Sequence, residues 1–295
     1  SAMGYVRCTV EENGVTESNA YNVAARGGLE YFTPERQRRL VTESADRALF
    51  QLHASSPPAG EMPVVLAAGA SAILLHEAIG HGLEADFNRK NISIFSSKMN
   101  QKIANEHVTI VDDGTILNGR GSINVDDEGN DSQRTTLVED GVLCSYLHDS
   151  ISARHYGLAP TGNGRRQSFR HAPMPRMRTT IMENGPHSPE EIIASVDKGI
   201  YCASFANGQV NIGGGDYAFY VKHGFLIEKG KLTQPIKDVN IIGNGPDSLA
   251  KMDMIGNDLV IDEGGWTCGK DGQGAAVSQG MPTVRVSSLT VGGIG

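Results

Sequence analysis

Two histidines and a glutamate stand within six residues, in His76-Glu77-Ala78-Ile79-Gly80-His81. Imidazole nitrogens suit Zn²⁺, and a carboxylate beside a ligand can take a proton from metal-activated water. The spacing is HExxxH, one residue longer than the HExxH of helical zinc proteases. At this composition chance supplies only about 0.02 such matches per chain. The plainer alternative is a buried helix holding two hydrogen-bonded histidines. Against that stands the apolar run Val64 to Leu75, which leads straight into the motif. A hydrolytic zinc site usually has three protein ligands and a water. The third ligand is open among the other seven histidines, the acidic residues and the four cysteines. Cys268 is the best of these on chemical grounds. It lies in the glycine-rich stretch Gly264 to Gln273, which can bring backbone close to a ligand. A His₂Cys set carries the same formal charge as His₂Glu. Cys8, Cys144 and Cys202 sit in strand-like apolar runs and read as core thiols.

The extra residue makes a geometric demand. Each helical residue advances ~100°, so residues five apart point about 140° from each other in a regular α-helix. His76 and His81 could not then share one ion. A π-type turn, which stacks residues five apart, is one remedy. A kink at Gly80, where glycine's freedom re-aims His81, is the other. The motif therefore predicts a distortion between Ala78 and Gly82, with Glu77 turned toward the open side of the metal.

Several elements must position these groups. Thr33-Pro34-Glu35 opens a helix running to about Leu52, with a capping hydroxyl and proline at the first turn. Pro63 to Ala68 reads as a buried strand, and Ser71 to about Phe87 as a second helix. From Val108 onward short apolar runs alternate with Asp-Gly turns: Val108 to Val111, Thr135 to Val138 and Val142 to Cys144. Ser188-Pro189-Glu190-Glu191 starts a third helix. Strands follow at Gln209 to Ile212, Tyr217 to Val221, Phe225 to Glu228, Val239 to Ile242 and Val284 to Val291. The fold class expected is α+β, mostly antiparallel sheet with a few helices, one of which carries HExxxH.

Composition narrows the function. With 26 basic and 34 acidic residues the net charge is −8, which counts against a general nucleic-acid binder. Four scattered cysteines without CxxC read as reduced thiols in a cytoplasmic setting. The longest apolar run is too short to span a bilayer, so no membrane partner is expected. Arg165, Arg166, Arg170, His171, Arg176 and Arg178 form a basic stretch. It reads as a solvated loop or, more sharply, as a phosphate surface or a clamp for a peptide carboxylate. Asn124 to Asp131 is acidic, lacks the glutamate of a calcium loop and reads as a turn. Gly213-Gly214-Gly215-Asp216 is a turn between strands or, alternatively, a rim for an extended peptide. P-loop, dinucleotide and serine-hydrolase motifs find no match.

The segment His76 to Phe87 closely resembles the signature of the TldD/PmbA family of metalloproteases, on the zinc-bearing side of that family. Pro160-Thr161-Gly162-Asn163-Gly164-Arg165-Arg166 and Cys268-Gly269-Lys270-Asp271-Gly272-Gln273 also match, and the likeness runs from Val6 to the end. The resemblance implies Zn²⁺ on His76, His81 and Cys268, with Glu77 as the catalytic residue. It implies a zinc-dependent endopeptidase acting on unfolded or extended peptides. The expected partner is a PmbA/TldE-like subunit lacking the metal motif, in a heterodimer, with a homo-oligomer as the other arrangement. The family's older label, modulator of DNA gyrase, suggests the alternative of a non-catalytic, zinc-stabilised regulatory subunit. Family members carry an N-terminal domain ahead of the matched region. Residues 1–3 are thus expected to be a cloning remnant and residues 4–295 a single catalytic domain without that N-terminal part.

Overall fold

The first 25 residues form a hairpin, Ala2–Glu12 paired with Val15–Ala25 around an Asn13-Gly14 turn in which both residues have positive φ. Asn-Gly favours the type I′ geometry that matches strand twist. Ala2 and Met3, set apart in the sequence as a remnant, continue this strand. Against the hairpin packs the helix Pro34–His53, whose Thr33 hydroxyl accepts from the Arg36 amide as predicted. The structure, a computed structural model, describes residues 1–293.

Two larger sheets build the rest. In one, pairings run round a closed ring of five strands: Lys198–Val210, Gly60–Leu66, Val284–Gly293, Val239–Asn244 and Asp216–Glu228. Lys231–Ile236 and Met252–Ile255 attach to its flanks. The other is six-stranded, in the order Val260–Ile261, Ser278–Met281, Thr179–Met182, Ile110–Asp113, Arg134–Glu139, Val142–Leu143. All pairings are antiparallel except Lys198–Val210 with Gly60–Leu66 and Ser278–Met281 with Thr179–Met182. The α+β expectation holds, with Tyr217 to Glu228 forming one continuous strand.

The chain from 70 to 83 is a single helical run between the two sheets, touching strands of both. One apolar cluster joins it to them, with Leu74, Leu75, Ile79 and Leu83 fully buried. Burying each such side chain contributes ~1.5–3 kcal/mol, so two sheets clamp the run although its sequence is too short for an independent helix.

Candidate metal centre

The helical run changes pitch at the motif. Ala70–Ala72 is a 3₁₀ turn, Ile73–Leu75 α-helical, His76–Gly80 a π turn and His81–Leu83 again 3₁₀. The π turn satisfies the demand of the five-residue spacing, and it starts two residues earlier than expected. Gly80 is no kink: its φ is −55° and ψ −53°, ordinary helical values. Its lack of a side chain serves packing instead, because a Cβ there would lie 2.1 Å from Met177 Sδ. With the backbone wound this way, the rings of His76 and His81 stand with centroids 4.9 Å apart.

Cys268 arrives from the far end of the sequence. The stretch expected to be a glycine-rich loop is a two-stranded hairpin, Thr267–Lys270 with Gln273–Ala276, closed by Asp271 and Gly272 at positive φ. Its sulfur lies 3.3 Å from His81 Nε2. One donor atom each from His76, His81 and Cys268 fall within 4.8 Å of one another, and all three residues are buried. Every residue from Ser71 to Asp86 is buried except Glu77, which is half-exposed. Glu77 is therefore the one residue of this stretch that keeps partial contact with solvent.

The electrostatics suit a thiolate. Burial opposes charge on Cys268, yet His76 and His81 outweigh it and bring the thiol down to about 5. Burial likewise disfavours the cation at His81, but Glu84 and Cys268 hold that imidazole well above its ordinary range. Glu77 is pushed up by burial, partly offset by the two histidines. Zinc ligands must be deprotonated, and a tetrahedral site spaces its donors roughly 3.3–3.6 Å apart. The Cys268 sulfur, 3.3 Å from His81 Nε2, meets the spacing and its readily ionised thiol meets the charge, while the ion would displace the proton that Glu84 and Cys268 favour on His81. Among the described residues the buried His76 Nδ1 also lacks a hydrogen-bond partner. The residues present fit a zinc ion.

Sequence reasoning missed the surroundings. Glu84, fully buried, accepts from His81 Nδ1 at 2.9 Å and pairs with Lys270 at 3.1 Å and Arg176 at 4.0 Å. Burial opposes its charge, but His81, Lys270 and Arg176 hold it down to about 2. Arg165, Arg176 and Arg178 are buried, contrary to the solvated-loop reading, while Arg170 is exposed and Arg166 and His171 are half-buried, in line with it. Arg176 donates to the Cys268 and Gln273 carbonyls, Arg165 to those of Met177 and Ala276. Arg178 pairs with the buried Asp112 at 2.7 Å. All three donate to backbone carbonyls, Arg178 to those of Gly162 and Asp112.

The remaining candidates separate cleanly. Cys202 is a core thiol, which burial pushes up. Cys8 is only half-buried and Cys144 is exposed, so neither is the core thiol expected; Cys144 lies just beyond its short strand. All four thiols are free. Asp126 organises the acidic turn by accepting from the Glu128, Asn130 and Gly164 amides. Gly213 to Gly215 form the turn between two long strands, where Gly215 has φ 78°. No helix among the described residues is long and apolar enough to cross a membrane.

Comparison with known proteins places these features in context. The profile of the PmbA/TldA metallopeptidase C-terminal domain matches residues 59–293. A metalloprotease TldD homolog of Haemophilus influenzae is 45% identical over 289 residues, covering 96% of this chain and 60% of that protein. A zinc metalloprotease TldD homolog of Saccharolobus solfataricus is 34% identical over 248 residues, 84% of this chain and 55% of the other. The chain thus spans about 60% or less of these two relatives. Among solved structures, TldE from Thermococcus kodakarensis superposes with TM-score 0.76 at 20% identity, covering 99% of this chain and 62% of that one. A Thermotoga maritima protein described as a modulator of a DNA gyrase does so with TM-score 0.78 at 24% identity, covering 98% and 62%. These two show a shared fold.

Proposed function

Since the chain belongs to the PmbA/TldD metallopeptidase family, we propose that it carries the catalytic centre of a zinc-dependent endopeptidase acting on unfolded or extended peptides. The carrying observation is the convergence of His76, His81 and Cys268 beside the half-exposed Glu77. These three residues would hold the ion. A zinc ion held there supplies a Lewis acid for a peptide carbonyl and a water acidic enough to react near neutral pH.

The protein's own residues do the rest. Glu77 accepts the proton that the attacking water gives up and delivers it to the leaving amine nitrogen. A carboxyl raised by burial is better matched to that proton traffic than an exposed one. Beside Cys268, Thr267 and Gly269 are exposed on the hairpin. An extended peptide lying along that edge would be held by main-chain hydrogen bonds with little side-chain selectivity. The resemblance in fold to a TldE protein supports a TldE-like subunit as the partner in a heterodimer, and a cytoplasmic site of action accords with the free thiols. Residues 4–295 act in this reading as the catalytic part of a longer protein, as their coverage of the relatives suggests.

Glu77→Gln tests the reading. The variant should fold and keep zinc while peptide cleavage by the assembled protein falls ~10²–10⁴-fold. Cleavage at the parent rate would remove Glu77 as the base. An assembled protein that binds zinc and cleaves no peptide would instead favour a regulatory assembly subunit.

A further inference from the structure

Glu84 and Lys270 belong to opposite halves of the centre, and neither offers a ligand to the cluster. Glu84 follows the helical run that carries His81, and Lys270 lies on the hairpin that carries Cys268. In a strand, residues two apart share a face. Cys268 and Lys270 accordingly are both buried, while Thr267 and Gly269 between and beside them are exposed. One carboxylate oxygen, Glu84 Oε2, meets both His81 Nδ1 at 2.9 Å and Lys270 Nζ at 3.1 Å. Lys270 also reaches Asp86 at 2.7 Å, donates to the Pro175 carbonyl and lies over the Phe87 ring at 4.2 Å.

Building on the zinc-site reading, we infer that Glu84 and Lys270 are positioning residues that form one clasp. Glu84 fixes the tautomer of His81 so that Nδ1 carries the hydrogen and Nε2 faces the sulfur. The same carboxylate anchors Lys270, which docks the hairpin and with it Cys268. Three observations support this arrangement. His81 Nε2 is the atom that meets Cys268. The Cys268 hairpin pairs with no third strand among the described residues, so side chains must hold it. Glu84 is fully buried, where a carboxylate needs cations and donors around it. Partners that orient a ligating histidine through its second nitrogen commonly govern affinity 10–100-fold.

The test uses metal binding and thiol protection in the 295-residue chain. Zn²⁺ dissociation constants are measured by chelator competition, and Co²⁺ serves as the spectroscopic probe. Glu84→Gln should raise the Zn²⁺ dissociation constant by about 10–100-fold. Lys270→Met should leave a folded chain in which Cys268, protected in the metal-free parent, is alkylated at least ~10-fold faster by peptide-resolved mass spectrometry, tracking local opening. Lys270→Arg should restore most of the protection. If Lys270→Met alone does not fold, Glu84→Gln combined with Lys270→Met removes both charges and should expose Cys268 equally. An unchanged dissociation constant in Glu84→Gln overturns the orienting role. Cys268 protection at the parent level in a folded Lys270 variant overturns the clasp. The zinc reading fails separately, if the parent shows no Co²⁺–thiolate absorption or if Cys268→Ser leaves that absorption and the affinity unchanged.

Discussion

The helical run at 70–83 and the hairpin at 267–276 supply the same cluster but are held by different forces. The helix lies between two sheets, with Leu74, Leu75, Ile79 and Leu83 at zero exposure. Its restraint is apolar, dense and non-directional. The hairpin is held by directional bonds with neighbouring side chains: Arg120 donates to the Trp266 carbonyl, Arg165 to that of Ala276 and Arg176 to those of Cys268 and Gln273, while Gln167 Oε1 accepts from the Gly274 amide. Damage to the first should cost global stability. Damage to the second should loosen the site while the fold persists. A π turn is tolerated in the helix because packing over-determines it; the hairpin contributes only Cys268 to that core.

The largest effect expected is on the helix. Leu75→Ala removes a fully buried side chain between the sheets and should cost ~2–5 kcal/mol in denaturant unfolding. A loss below about 1 kcal/mol would break the contrast, since the helix would then not depend on its packing. Next comes the metal. Cys268→Ser should lower zinc occupancy and affinity as strongly as His76→Ala, while global stability without metal moves little. Equal unfolding losses in the metal-free Cys268 and Leu75 variants would show that the hairpin is part of the same cooperative core.

A smaller effect isolates the clamps. Arg120 is only part-buried and makes two bonds to the hairpin, to the Trp266 carbonyl and the Thr267 hydroxyl. Arg120→Ala should change global stability by about 1 kcal/mol or less, yet speed amide exchange across 267–276. Faster exchange spread evenly over both sheets would count against local tethering.

The contrast also explains what was legible in the sequence. His76, Glu77 and His81 announce themselves by spacing, and the five-residue interval demanded a distortion, for which the π turn was one of two remedies. Thr33, Pro34 and the Ser188–Glu191 capping box marked helix starts because caps are local chemistry. The hairpin's polar tethers are long-range. Arg176 and Cys268 lie 92 residues apart, and Lys270 and Asp86 are separated by 184. A basic stretch read along the chain looks like a solvated loop, because nothing local says that its guanidiniums turn inward onto carbonyls. Asp271-Gly272 and Asn13-Gly14 were available as turn signals for two hairpins that the sequence reading passed over.

Acid provides the finest test, once a confounding group is removed. Any zinc site weakens in acid because its ligands protonate, so pH-dependent unfolding could be credited to the centre by mistake. His223 contributes acid sensitivity from elsewhere. Its ring stands edge-on to Phe50 at 3.9 Å and near Phe225 at 5.7 Å, and burial first, then Arg47, push it down to about 4 against a partial offset from Glu43. The folded state thus binds this proton less readily than the unfolded chain. Its contribution is intact above about pH 6.5 and is lost as pH falls from there through about 4. Partial exposure screens the effect, leaving roughly 1 kcal/mol. His223→Phe in metal-free protein should flatten stability between pH 6.5 and 4 by about that amount and leave pH 8 unfolding nearly unchanged. Zinc affinity at pH 7.5 should match the parent, since the ring lies outside the cluster. A variant whose acid profile follows the parent's would return the acid sensitivity to other groups, those of the centre included.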